Sequence, residues 1–164
     1  RPRATAGLAA DSRPKPGWAA LCVPAARLLA DPARSMDSLN RLPAMGVKIV
    51  IDDFGTGYSS LSYLRRLPVD ELKIERSFVA GLLSGQDDVI VRSTIDLSHN
   101  LGLSVVAEGV EDGATLHLLA ELGCDRAQGY FISRPVPADR FTAWLTADDG
   151  LRDISSFLAR SAQG

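Results

Sequence analysis

The stretch Val47-Lys-Ile-Val-Ile51 is a nearly continuous apolar run, and two carboxylates, Asp52 and Asp53, follow it directly. Such a run is typical of a strand that is buried on both faces of a parallel sheet. Three more short runs along the chain have the same character and contain or precede a polar residue. They are Val69-Asp-Glu-Leu-Lys-Ile74, Leu103-Ser-Val-Val-Ala107 and the weaker Cys124-Asp-Arg-Ala-Gln128. The sequence therefore predicts four strands.

Helical patterns separate the predicted strands. Asp31-Pro32 starts the first helix, with Asp as the N-cap and Pro at the first helical position, and Gly46 ends it after a last turn that Pro43 shortens. Alternating strands and helices predict an α/β fold with a parallel sheet, either doubly wound or part of a barrel. The later predicted helices are a short one at 61–64, one over 76–101 with a break at Ser84-Gly85, one through Leu116 that ends at Gly123, and one from Pro137 to Leu145.

The composition is that of one ordinary globular domain. The chain has 164 residues, of which 46% are hydrophobic, and this is enough to bury a core. A formal net charge of −2 gives no reason to expect nucleic acid or an anionic membrane as a partner. With two cysteines, Cys22 and Cys124, and no apolar stretch of bilayer-spanning length, we expect a reduced, cytoplasmic domain. A longer parent protein could still be anchored in a membrane.

Charged and amide residues mark the ends of the predicted strands. Asp52 with Asp53, Glu108 and Gln128 each follow a strand, and Lys73 lies inside one. Because the carboxyl ends of parallel strands meet on one face, we expect these residues to form a metal and phosphate site. Adjacent carboxylates are costly without a compensating cation, and oxygen ligands favour Mg²⁺ or Mn²⁺ over zinc.

Each of these residues also has a simpler interpretation. One of the two aspartates could cap the next turn while the other is solvated, and Lys73 alone could be an exposed strand lysine. Glu111 could merely favour the N-terminal dipole of the helix that follows it. The two glycines after Phe54 favour the functional interpretation, since glycine allows positive φ and a close approach of the backbone.

Four motifs are informative through their order and spacing: Ile51-Asp-Asp-Phe-Gly-Thr-Gly-Tyr-Ser-Ser-Leu61, Leu67-Pro-Val-Asp-Glu-Leu-Lys-Ile74, Val106-Ala-Glu-Gly-Val-Glu111 and Gln128-Gly-Tyr-Phe131. Together they resemble the EAL domain, the cyclic di-GMP phosphodiesterase family, from about Leu28 to Leu145. The resemblance implies a modified TIM-type (β/α) barrel that uses two Mg²⁺ or Mn²⁺ ions to hydrolyse cyclic di-GMP to linear pGpG in signalling. This chain would hold part of that barrel, about four C-terminal βα units.

The resemblance also implies a role for each motif residue. Asp52 is similar to a metal ligand shared between the two ions, and Asp53 to a ligand of the second ion. Lys73 resembles a lysine that contacts the nucleophilic water and the phosphate, and Glu108 a glutamate with a metal-water or base role. Gln128 resembles a supporting polar residue at the substrate. The remaining matches, to residues that support or form the loop after Asp53, are Glu111, Phe54, Gly55, Thr56 and Gly57.

Residues 1–27 depart from the family pattern. The family has three further metal ligands upstream, and no Glu-Ala-Leu signature or matching asparagine occurs here. Cys22 stands where the third ligand, a glutamate, is expected, with Pro24 and Ala25 in place of the Thr and Glu that follow it. We expect an irregular, family-unlike segment over 1–27, as a truncation or frameshift would produce, the C-terminal half of an EAL domain over 28–147, and a helix or tail over 148–164.

Three functions are compatible with these departures. The chain could be an EAL phosphodiesterase that binds its metal weakly and is active only when another chain supplies the missing residues. It could be a degenerate module that binds cyclic di-GMP or a protein partner without hydrolysis, or a nonfunctional fragment. The expected partners are cyclic di-GMP and a second copy or upstream signalling domains, but not nucleic acid. An open half-barrel would also leave two sheet edges unpaired.

Overall fold

The computed structural model describes residues 19–30, 32–54 and 64–146. Its centre is a five-stranded sheet in which the strands lie side by side in chain order, all parallel. The strands are β1 (Ala20–Pro24), β2 (Lys48–Phe54), β3 (Glu71–Ile74), β4 (Ser104–Glu108) and β5 (Arg126–Gln128). Parallel strands in chain order are the arrangement of a (β/α) barrel, here left open between β1 and β5. The prediction of a partial barrel is confirmed.

The described helices account for the other predicted elements. They are α1 (Ala25–Ala30), α2 (Pro32–Leu39), α3 (Arg76–Ala80), α4 (Asp88–Asn100), α5 (Gly113–Glu121) and α6 (Ala138–Thr146), with a 3₁₀ turn at Pro43–Met45. The break predicted at Ser84-Gly85 separates α3 from α4, and the helix that ends at Leu39 gives way to the 3₁₀ turn at Pro43. No described helix is long and apolar enough to cross a bilayer. The predicted N-cap Asp31 and most of the short helix at 61–64 lie outside the described residues.

The irregular segment predicted for residues 1–27 needs a correction at its end. Residues 20–24 form strand β1, and α1 begins at Ala25. The strand forms because its backbone pairs with β2 from Ala20 opposite Lys48 to Pro24 opposite Asp52. β1 lies at the edge of the sheet and is largely exposed, although Ala20 to Val23 form an apolar run like those of the inner strands.

Side chains alternate between two faces of the sheet, and one face packs on helices. On β3, Leu72 and Ile74 are buried in the core, whereas Lys73 between them points the other way. The same alternation places Ile49, Ile51, Val105 and Ala107 in the core. We call the opposite side the inner face; it carries Cys22, Asp52, Lys73, Glu108 and Gln128.

Two aspartates join neighbouring strands by hydrogen bonds at their amino ends. Asp70, just before β3, accepts a hydrogen bond from the Ile49 N–H at 2.8 Å and donates its own N–H to the Ile49 carbonyl at 2.9 Å. Asp125, just before β5, accepts from the Val105 N–H at 2.8 Å and lies 3.0 Å from His99 Nε2. Each aspartate thus joins its own strand to the preceding one, at the end of the sheet away from Glu108.

Candidate metal and phosphate site

Three carboxylates converge at the carboxyl end of the sheet. Asp52 and Asp53 belong to the end of β2 and Glu108 is the last residue of β4, and one oxygen atom of each lies within 4.8 Å of the others. The side chains of Asp52 and Glu108 are partly buried, at 27% and 23% exposure. Because β3 lies between β2 and β4, these carboxylates gather around Lys73. The structure therefore brings four of the predicted site residues together.

An irregularity in β2 allows two adjacent aspartates to reach one site. Neighbouring residues of a regular strand point to opposite faces of the sheet. In β2 the register with β3 shifts between Ile51 and Phe54, and Asp53 has a φ of 54°. This left-handed conformation is uncommon for residues other than glycine, although aspartate tolerates it better than most. The bulge re-aims Asp53 toward Glu108, as bulges next to functional sites commonly do.

Lys73 forms ion pairs with two of the three carboxylates. Its ammonium contacts Glu108 and lies 3.4 Å from Asp52 Oδ1. Burial acts to lower the pKa of Lys73, but the hydrogen bond and the charge of Glu108 outweigh it and raise that pKa above its usual value. Lys73 is therefore protonated at neutral pH and supplies the positive charge that the carboxylates need.

Cys22 adds a thiol to the same face. β1 pairs with β2 so that Cys22 lies opposite Val50, and Pro24 opposite Asp52. Burial and the neighbouring Asp52 carboxylate raise the pKa of Cys22 to about 11. Cys22 therefore contributes a neutral thiol to the inner face, but it does not belong to the group of three carboxylates.

A cleft adjoins the carboxylates on the side of β5. Glu108 and Gln128, which are register partners on β4 and β5, form one wall of it. Arg76 and Glu111 form another and are joined by an ion pair with 2.5 Å between Nη2 and Oε1. Tyr130 completes the lining. The cleft thus offers an amide, an aromatic ring and charges of both signs next to the three carboxylates.

The two loops that form this cleft depend on a close backbone approach. The Val110 N–H donates to the Gln128 carbonyl at 3.1 Å, and the Phe131 N–H donates to the Val110 carbonyl at 3.1 Å. A Cβ atom on Gly129 would overlap the backbone of Val110. Glycine is required at this position, and the tight contact holds Gln128 beside Glu108.

The remaining predicted residues have other surroundings. Phe54 is buried in the core with Leu64 and Leu72, and Glu111 pairs with Arg76. Gly55, Thr56 and Gly57 lie outside the described residues, so the predicted support of that loop stays a prediction. Sequence reasoning missed Arg76, although it follows β3 and the strand-end rule that selected Glu108 would also have selected it.

The donor set fits a divalent cation. Three carboxylates provide the oxygen ligands that Mg²⁺ and Mn²⁺ prefer, and an ion among them would compete with Lys73 for Asp52 and Glu108. Within the described parts of the chain, no other group of three His, Cys, Asp or Glu side chains has comparable spacing.

Comparison with known proteins agrees with the resemblance carried by the sequence motifs. The sequence model of the EAL domain matches residues 3–135, and so begins upstream of Leu28, where the motifs had placed the start of the resemblance. MucR of Pseudomonas aeruginosa, named as a bifunctional diguanylate cyclase/cyclic di-GMP phosphodiesterase, is 50% identical over 114 residues, which are 69% of this chain and 17% of that protein.

Solved structures share the fold. The PaMucR phosphodiesterase in its c-di-GMP complex superimposes with a TM-score of 0.74 at 46% identity, covering 77% of this chain and 51% of that one. The EAL domain of Mycobacterium smegmatis DcpA gives a TM-score of 0.75 at 43% identity, covering 80% and 59%. The chain thus spans little more than half of these two structures and a smaller share of full-length MucR. This chain belongs to the EAL domain family.

Proposed function

We propose that this chain supplies the metal-binding and phosphate-binding part of a cyclic di-GMP phosphodiesterase site, at which one phosphodiester is hydrolysed to give linear pGpG. The observation that carries this proposal is the convergence of Asp52, Asp53 and Glu108 within 4.8 Å around a protonated lysine. The activity named for the relative MucR and the ligand of its solved complex support the choice of substrate.

Each residue would contribute through a distinct interaction. Asp52, Asp53 and Glu108 would hold Mg²⁺ or Mn²⁺, and such an ion supplies charge that polarises the phosphate and acidifies a bound water. Lys73 would then exchange its carboxylate partners for an oxygen of the substrate phosphate. Glu108, which contacts the Lys73 ammonium, would accept a proton from the attacking water.

The cleft next to Glu108 would hold the nucleotide. The Gln128 amide both donates and accepts hydrogen bonds, and the Tyr130 ring offers an apolar surface. Because Gln128 and Glu108 are register partners, a nucleotide bound at Gln128 would present its phosphate to the carboxylates. We therefore assign Gln128 to substrate binding.

Binding without hydrolysis is the second candidate function. One observation favours it: β1, the strand beside Asp52, presents Cys22 and Pro24 to the inner face and no carboxylate. Three carboxylates shared between two ions would bind metal weakly, and a lost ligand reduces rate as well as affinity. We therefore expect turnover by this chain alone to be slow or absent unless a second chain adds donors.

The test is incubation of the purified chain with cyclic di-GMP and Mn²⁺, with pGpG release followed by chromatography and binding by calorimetry. Asp52→Asn should abolish metal-dependent binding and any turnover. The matched control is Asp88→Asn, which removes a carboxylate paired with Arg92 on α4 and should leave both unchanged. Turnover supports hydrolysis, and binding alone supports the second candidate. If the unmodified chain shows neither binding nor turnover, both candidate functions are contradicted.

A further inference from the structure

We infer that an apolar groove beside β5 binds the C-terminal segment of this same chain, residues 151–162, as an amphipathic helix. The groove is built on α5, on the helix-covered side of the sheet, so the inference is independent of the proposed metal site on the inner face. The match to the EAL model ends at residue 135. The segment therefore adds an element that the family match does not include.

Apolar side chains form most of the groove, which has a volume of about 270 Å³. Several of them belong to the core cluster around Val105 or pack against it. No described residue of α6, the helix that follows β5, lines the groove. Part of the core surface is therefore left for another element to cover. The apolar lining residues are Leu116, Leu119, Ala120, Cys124, Ala127 and Ile132.

The charged groups at the rim of the groove already have partners. Asp125 accepts a hydrogen bond from the Val105 N–H and lies 3.0 Å from His99 Nε2. Arg126 forms an ion pair with Glu71. The groove therefore offers a ligand mainly apolar surface. Such a groove suits the apolar face of an amphipathic helix, whose anchoring side chains recur every three or four residues.

The C-terminal segment has this spacing. Its large apolar side chains recur at intervals of three and four residues and would lie on one side of a helix. They are Leu151, Ile154, Phe157 and Leu158. The opposite side of the same helix would be polar, with Arg152, Ser156, Arg160 and Gln163. A helix of about twelve residues is marginal in water by itself, so burial of the apolar side would stabilise it.

The length of the connection favours this chain's own segment over a second copy. Between the end of α6 at Thr146 and Leu151 lie four residues, and antiparallel helices are joined by loops of about two to five. A helix over 151–162 would be about 18 Å long, against about 13 Å for the nine residues of α6. If it turns back along α6, its far end extends past Ala138 toward Ile132 at the groove. A short tether also gives the segment an effective concentration of about millimolar.

Cys124 reports whether the groove is occupied. Its side chain belongs to the lining and is partly buried, and its sulfur hydrogen-bonds to the Arg126 carbonyl at 3.2 Å. A helix seated in the groove would cover this sulfur and would have to detach before a reagent could reach it. Cys22→Ser removes the other cysteine of the chain, so that Cys124 is the single thiol.

The experiment measures the rate at which Ellman's reagent modifies Cys124 in the full chain carrying Cys22→Ser. Phe157→Asp places a charge on the apolar side of the segment and should raise this rate at least about tenfold, because the groove is then open. Ser156→Asp, the matched control on the polar side, should leave the rate unchanged. Ile132→Asp should raise the rate like Phe157→Asp, and the two together should add nothing further, since both remove one contact.

Four outcomes would overturn the docking of the segment in the groove. They are an unchanged rate in Phe157→Asp, an equal rise in Ser156→Asp, a further rise in the double variant, and slow labelling that is lost when the protein is diluted. The last would assign the groove to a second copy. Ile154→Asp, on the same side as Phe157, should repeat the effect, and circular dichroism checks that each variant is folded. None of these measurements involves the metal or cyclic di-GMP, so they leave the proposed function in place.

Discussion

The carboxylate of Asp53 lies on the same side of the sheet as that of Asp52, although the two residues are neighbours in one strand. The left-handed backbone at Asp53 and the register shift beside it make this possible. The site therefore depends on a local distortion of β2 as well as on the identity of its side chains.

Substitution of Asp53 should separate the backbone requirement from the metal requirement. Asp53→Gly should fold at least as stably as the unmodified chain, because glycine adopts positive φ without strain, but should bind Mn²⁺ more weakly. Asp53→Val should lose about 1–2 kcal/mol of unfolding free energy because a β-branched residue resists this conformation. Urea unfolding and Mn²⁺ titration measure the two effects. Equal stability of the Val and Gly variants would contradict the strain argument.

Removal of the Lys73 charge should leave the neighbouring carboxylates to repel one another. We expect Lys73→Met to lower the unfolding free energy of the metal-free chain by about 1–3 kcal/mol, since Asp52 and Glu108 lose their cation in a partly buried site. Mn²⁺ should then stabilise this variant more than the unmodified chain. Thermal unfolding with and without Mn²⁺ tests this, with Lys48→Met at the exposed start of β2 as the control. An equal response to Mn²⁺ in both chains would count against the competition between Lys73 and the ion.

The raised pKa of Lys73 predicts a loss of stability at alkaline pH. A folded-state pKa above the unfolded value of 10.5 means that the charged lysine stabilises the fold fully below pH 10.5. This contribution is lost as the pH rises through the folded pKa. The stability difference between the unmodified chain and Lys73→Met should therefore shrink above that range. Urea midpoints measured on either side of pH 10.5 test the sign, and a difference that grows with pH would refute it.

The strand-start aspartates should affect stability and not metal binding. Asp70→Ala and Asp125→Ala should each lower the unfolding free energy by about 1–2 kcal/mol, because each leaves a strand N–H without its acceptor. Asp70→Asn keeps an acceptor oxygen and should lose less. Asp96→Ala, on the exposed side of α4, is the control. Weaker Mn²⁺ binding in correctly folded Asp70→Ala would show that the two ends of the sheet are coupled.

The inner strands could be predicted because burial determines their sequences. The runs around Ile49, Leu72 and Val105 are apolar since these residues pack on helices. β1 was missed although Ala20 to Val23 are apolar too, because the prolines before it and Pro24 at its end favoured an irregular segment. Pro24 is tolerated there because it lies at the end of an edge strand.

Which residues form the site could be predicted from the sequence, but the arrangement of their side chains could not. Asp52, Lys73 and Glu108 were identified because parallel strand ends must meet. The bulge that turns Asp53 depends on how β2 pairs with β3, which the local sequence does not encode. The pairing of Asp70 with Ile49, 21 residues apart, likewise requires the register to be known.

The hydrogen bonds by which Asp70 and Asp125 join neighbouring strands lie at the end of the sheet opposite the carboxylates. Residues at the other rim can therefore be exchanged during evolution while the sheet remains assembled. A cooperative unfolding transition is consequently no measure of whether a member of this family still carries out its chemistry. Loss of activity in such a chain is recognised from the donor atoms of the rim even when the fold is retained.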